Sequence, residues 1–207
     1  MAISFQQLRF GFAIFTALLC LSVPRVVAAE KTAYLEPGAS VLMPMGWAGF
    51  CSRYPGECRQ TDKKPIVEIA ATAATIELVQ SMNKIVNETI KSMTDYDHWH
   101  EIDRWDYAED GYGDYEDYVL VKRRALMALG LPSSALLVTI VRDEHLDGHA
   151  VLTVRTDRGD LILDNVFPDV KLWFRTPYRF MKIQSAYDPN VWLGIGASAA
   201  RPQLVSR

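Results

Sequence analysis

The period of the apolar residues changes once along this chain, and that change limits the architectures open to it. Over residues 66–93 the apolar positions Ile69, Ala73, Ile76, Val79, Met82, Val86 and Ile90 recur at three or four residues. That spacing predicts one helix with a single buried stripe. Residues 115–129 read as a second helix, with Tyr118, Val119, Lys122, Leu126 and Leu129 along one side and Lys122 placed to snorkel. Gly130 and Pro132 mark its end. Beyond them the period drops to two. Residues 135–141 are apolar and β-rich, residues 149–156 alternate, and residues 161–165 follow Asp157-Arg158-Gly159-Asp160, a hairpin signal. Residues 171–174 and 178–184 add strand-like pieces. Helices first and antiparallel strands after predict an α+β domain.

The N-terminus stands apart. Arg9 precedes an uncharged apolar stretch over residues 10–23, and Val27-Ala28-Ala29 puts small residues before Glu30. Residues 1–29 therefore read as a secretory signal peptide, with a retained N-terminal anchor as the alternative. The stretch is shorter than the ~18–20 residues that span a bilayer. Residues 30–196 form one domain and residues 197–207 a loose tail without pattern. Net charge is −3, without a basic patch interleaved with aromatics, so nothing points to nucleic acid. No later segment is apolar enough to span a membrane. The expected location is periplasmic or secreted. Cys51 and Cys58 survive signal cleavage, and an even pair in an exported chain reads as a disulfide around Pro55-Gly56. The other reading is a reactive thiol, but neither cysteine opens an evident helix beside a histidine. Residues 30–65, rich in Gly and Pro, read as an irregular arm pinned by that pair.

Residues 95–117 carry ten acids against a single Arg104. Such runs are usually solvated surface. This one ends in Gly113-Asp114-Tyr115-Glu116-Asp117-Tyr118, at the start of the second helix, where Asp114 is a good N-cap and Asp117 suits the first turn. A nucleophile there would have its pKa lowered by the unpaired N–H groups and the helix dipole, and its backbone N–H could meet an oxyanion. His149 opens one strand of the predicted hairpin and Asp164 ends the next. A two-residue turn gives paired residues an odd index sum, which puts both on one face. A turn near Thr156-Asp157 sets them opposite each other, and a later turn offsets them.

These residues resemble a known family. Gly113-Asp114-Tyr115-Glu116-Asp117-Tyr118, Gly148-His149-Ala150-Val151-Leu152 and Leu163-Asp164-Asn165 are similar to the motifs of the bacterial transglutaminase-like cysteine peptidases, except that the family has Cys where this chain has Tyr115. Asp103-Arg104-Trp105 and the paired Asn83 and Asn87 match further family positions, and the plainer reading of the two asparagines, one turn apart on the first helix, is a polar face in solvent. The resemblance implies a papain-like core, a Cys-His-Asp triad at positions 115, 149 and 164, and protein or peptide substrates or partners. Some members are calcium-dependent periplasmic proteases that clip surface adhesins, which implies calcium ligands at Asp114 and Glu116. Carboxylates suit a hard cation, and the plainer reading is that Asp114 caps the helix while Glu116 is solvated. A phenol, with a pKa of about 10, is no substitute for a thiolate at neutral pH. The expectation is therefore a chain inactive as a thiol protease. The accounts that follow are a binding module using the old cleft, a recently changed codon, or a thiol supplied from elsewhere.

Overall fold

The computed structural model describes residues 33–59 and 68–196. The signal-peptide and tail readings, and the start of the expected first helix, lie outside the described residues. Within them the chain forms α1 (Met45–Arg53), α2 (Ala73–Thr89), α3 (Asp95–Trp99) and α4 (Tyr115–Ala128), with strands β1 (Pro37–Val41), β2 (Lys91–Ser92), β3 (Tyr112–Gly113), β4 (Leu136–Arg142), β5 (Gly148–Thr156), β6 (Gly159–Leu163), β7 (Lys171–Leu172), β8 (Arg179–Gln184) and β9 (Trp192–Ile195). Seven strands form one antiparallel sheet in the order β1-β9-β8-β4-β5-β6-β7, and β2 and β3 make a short parallel pair. The α+β expectation holds, with helices packed on an antiparallel sheet.

The first helix is shorter than its apolar period predicts. Thr72 caps α2 by accepting the Thr75 N–H at 3.1 Å, and before it Ile69 is extended and bridges Thr156. Ile90 is extended again and leads into β2. Ile76, expected on the buried stripe, is 38% exposed, whereas Asn83 is fully buried. The helix turns a partly polar side inward.

α4 lies between α2 and the sheet, which buries more than one of its faces: Tyr118, Val119, Leu120, Lys122, Arg123 and Leu126 are all inaccessible. Lys122 therefore cannot snorkel; it is 0% exposed. Arg123 instead finds partners, donating to the Leu136 carbonyl and pairing with Glu57 at 3.4 Å.

The N-terminal arm is more ordered than its composition suggests. Trp47 and Phe50 of α1 are fully buried and meet Tyr54, Trp105, Tyr107 and Trp192 in a cluster of ring contacts. Asp103 ties this cluster together, accepting the Gly46 N–H and the Trp105 Nε1–H, both at 2.8 Å. A side chain at Gly46 would run into Trp105, because a Cβ there falls 2.2 Å from its ring. Cys51 and Cys58 form a disulfide with Cα atoms 5.6 Å apart, within the usual range. Asn190 donates to the Cys58 carbonyl and so joins this corner to the approach to β9.

Candidate active site

Three segments converge at the N-terminus of α4. Asp114 is the helix N-cap, and Asp117 accepts its backbone N–H at 3.4 Å while also accepting the Asp106 N–H at 2.6 Å. Gly113 is required for this approach, since a Cβ there would lie 2.5 Å from the Asp117 carboxylate. Tyr115 is the first helical residue, 37% exposed, and its ring makes an edge contact with His149 at 5.3 Å between centroids.

The β5–β6 turn is the two-residue Asp157-Arg158, and the ladder pairs Leu152 with Leu163 and Thr156 with Gly159. The index sum is odd, so His149 and Asp164 share a face, with Asp164 offset from the position opposite His149. The imidazole spans that offset: Nε2 lies 2.9 Å from Asp164 Oδ1. Oδ1 also accepts the Val166 N–H, and Oδ2 accepts the Tyr178 hydroxyl. Burial tends to raise the Asp164 pKa, but the hydrogen bonds from His149 and Tyr178 outweigh it and hold the carboxyl below its ordinary range. A carboxylate on Nε2 favours the tautomer with its proton there and leaves Nδ1 as the ring's free base. Tyr178 also packs its ring against His149 at 5.3 Å, so the imidazole sits between two tyrosines. Sequence reasoning missed Tyr178, which has no motif around it.

The phenol of Tyr115 is pushed above its ordinary pKa, first by burial and then by the charges of Glu116 and Asp114. Two recesses open on either side of this ring. One, about 170 Å³, is walled by Pro44, Asp103, Trp105 and Lys182; the other, about 350 Å³, by Asp143, Phe167, Pro177 and Tyr178. Tyr115, Gly148 and His149 line both.

Behind the helix start lies a carboxylate cluster. Asp114 and Glu116 are joined by Asp95, and one oxygen of each lies within 4.8 Å of the others. Glu116 is 2% exposed, which removes the reading of a solvated acid. Its pKa is raised by burial and then by Asp114, and burial likewise raises Asp114. Burial also pushes Asp117 up to about 8. Asp114 Oδ1 and Glu116 Oε2 are buried without a hydrogen-bond partner. Asp95 Oδ2 accepts the Arg104 N–H, but close-set hard oxygen donors, two of them without partners, fit a divalent cation such as calcium. Asp95 was missed because it stands 19 residues before Asp114, in a run that reads as surface.

A helix N-terminus set against a His–carboxylate pair on an antiparallel sheet is the architecture of papain-like thiol hydrolases. The chain belongs to the bacterial transglutaminase-like cysteine proteinases, whose family model matches residues 38–200. Among solved structures it is similar to calcium-bound Legionella pneumophila LapG, with 24% identity over 64% of this chain and 77% of that one and a TM-score of 0.50. An EGTA-treated structure of LapG matches at 23% identity over 61% of this chain and 70% of that one, with a TM-score of 0.49. No curated protein sequence matches. No helix among the described residues is long and apolar enough to cross a membrane.

Proposed function

We propose that this chain is an exported, periplasmic or secreted member of its family that retains the peptide groove, the base and its orienter but has lost the nucleophile, and so does not act as a thiol protease. The observation that carries this reading is the Tyr115 ring at the first position of α4, against His149. In an active site of this class, His149 Nδ1 would take the thiol proton, Asp164 would hold the imidazole, and the first N–H groups of α4 would receive the oxyanion. Tyr115 replaces the thiol with a phenol whose raised pKa keeps it protonated, and its ring fills the space where a scissile carbonyl must sit.

A second reading adds to the first: a binding module for an extended peptide or partner segment. Two recesses that share Tyr115, Gly148 and His149 as a common wall favour it. The larger, about 350 Å³, reaches the low end of known ligand clefts, ~300 Å³.

Calcium, where present, would be held by Asp114 and Glu116 with Asp95. It would supply fixed positive charge behind the helix start, neutralising carboxylates that otherwise repel one another.

The test compares the natural chain with Tyr115→Cys. The natural chain should not label at residue 115 with a thiol-directed probe, and Tyr115→Cys should react at pH 6–7 far faster than a free cysteine of pKa ~8.5. His149→Ala should remove most of that gain. A Tyr115→Cys variant no more reactive than a surface thiol would mean that the cleft has changed beyond this residue, and would leave the binding-module reading.

A further inference from the structure

We propose that Gln80, Asn83 and Asn87 of α2 are positioning residues that hold the segment from Asp164 to Val170 and, through Asp164, fix the ring of His149. These side chains follow one another at three and four residues, so they share one face of the helix. That face meets the segment between β6 and β7. Asn87 Nδ2 donates to the Asp164 backbone carbonyl at 2.8 Å. Asn83 Nδ2 and Gln80 Nε2 both donate to the Pro168 carbonyl at 2.9 Å, and Gln80 Oε1 accepts the Val170 N–H at 2.9 Å.

The segment needs such partners. β6 ends at Leu163 and β7 begins at Lys171, so the carbonyls of Asp164 and Pro168 fall outside the sheet ladder. Asp164 is buried, and a buried main-chain acceptor must be paired somewhere; the Asn87 amide does there what a neighbouring strand would, while Gln80 and Asn83 tether the exposed Pro168. The consequence for the site is geometric. Asp164 is the first residue beyond β6, and its carboxylate reaches His149 across an offset rather than from directly opposite. The Asn87 bond fixes the peptide plane on which that carboxylate stands. Tyr178 restrains the carboxylate from another strand connection, and neither of its contacts replaces the anchor on the backbone. The paired asparagines that sequence reasoning set beside a solvated polar face thus point inward; Asn83 is fully buried.

The experiment reads the imidazole nitrogens of His149 by long-range proton–nitrogen correlation in the full exported chain at pH 8. The parent should show one tautomer, protonated at Nε2. Asn87→Ala should raise the other tautomer to roughly one part in five, the effect of weakening one ordinary hydrogen bond. Ile85→Ala, at an exposed position on the same helix, should change nothing. Gln80→Ala, at the solvent end of the clamp, should shift the tautomers the same way by less, and covers the case in which Asn87→Ala does not fold. If both variants lower the melting temperature but leave His149 in one tautomer, α2 merely packs and the proposal falls. A second readout rests on the proposed thiol site: in the Tyr115→Cys background, Asn87→Ala should slow alkylation at pH 6.5 about fivefold. A tautomer shift without a rate change would keep the clamp and count against the thiol-site reading alone.

Discussion

His149 stands diagonally across the β5–β6 hairpin from Asp164 and closes the offset through Nε2, 2.9 Å from Oδ1. Aromatic side chains reach diagonal neighbours in an antiparallel pair, so the pair forms without direct opposition. The arrangement leaves Oδ2 free for Tyr178, and the carboxylate is held from two sides.

That geometry ranks two substitutions. In the Tyr115→Cys background, Asp164→Asn should cost more thiol reactivity than Tyr178→Phe, because an amide can donate to Nε2 and reverse the tautomer. Tyr178→Phe removes one hydrogen bond and keeps the ring contact, so a loss of about threefold to tenfold is expected. Alkylation rates at pH 6.5 decide the order; a Tyr178→Phe loss as large as that of Asp164→Asn would mean the phenol, not the carboxylate, orients the imidazole.

Calcium should stabilise the chain, and more so as pH rises. Burial raises Asp114, Glu116 and Asp117, so the folded chain keeps protons that the unfolded chain releases near pH 4. Without metal, stability therefore falls as pH climbs above that point. A cation binds the ionised carboxylates and offsets the loss. At 100 times its Kd it adds ~2.7 kcal/mol, or roughly 5–10 °C in melting temperature. The shift should be larger at pH 8 than at pH 5.5. Glu116→Gln should remove the calcium response and raise metal-free stability at pH 8, whereas Asp117→Asn should weaken the helix cap with or without calcium. Identical melting curves with calcium and with chelator at pH 8 would leave Asp114 as a cap alone.

The disulfide closes a short loop at the α1 corner. Replacing Cys51 and Cys58 with Ala should cost roughly 2–3 kcal/mol by the loop-entropy relation. Cys58 is buried in the core beside the aromatic cluster, so cavity formation adds to that loss. Intact mass of the non-reduced chain should be two hydrogens below the dithiol value, and free alkylation of both thiols would overturn this.

The legible parts of the fold were those with local cause. α4 and the β4–β5–β6 strands announce themselves by period, and Asp114 by its place before a helix. α1, β1 and β9 do not, because Trp47, Phe50 and Trp192 are ordered by meeting rings from distant segments rather than by a local pattern. The same holds at the site. Tyr115, His149 and Asp164 stand in motifs, while Tyr178 and Asp95 join them only through tertiary folding. The hairpin register was undetermined because Asp157-Arg158-Gly159-Asp160 accommodates more than one two-residue turn, and the structure uses Asp157-Arg158. Lys122 was misplaced because a single apolar stripe does not reveal that α4 is covered on further sides.

Lys122 supplies a prediction of its own. Its Nζ is buried without a hydrogen-bond partner among the described residues and sits 5.8 Å from the centre of the Tyr118 ring. Burial pulls its pKa down to about 7, against a smaller opposing pull from Asp164. The unfolded chain holds the same proton to ~10.4. Between these values the unfolded state binds more protons, so stability contributed here rises with pH. The destabilisation by Lys122 is therefore full below pH 7 and fades toward pH 10. Lys122→Met keeps the length of the side chain and removes the ammonium, and it should stabilise the chain by roughly 2–4 kcal/mol at pH 6, a gain that shrinks steadily by pH 9. Urea unfolding of both chains at pH 6, 7.5 and 9 measures it. A Lys122→Met variant less stable than its parent at every pH would mean that the ammonium is charged and paired inside the fold, with Asp164 as the partner that loses its counter-ion.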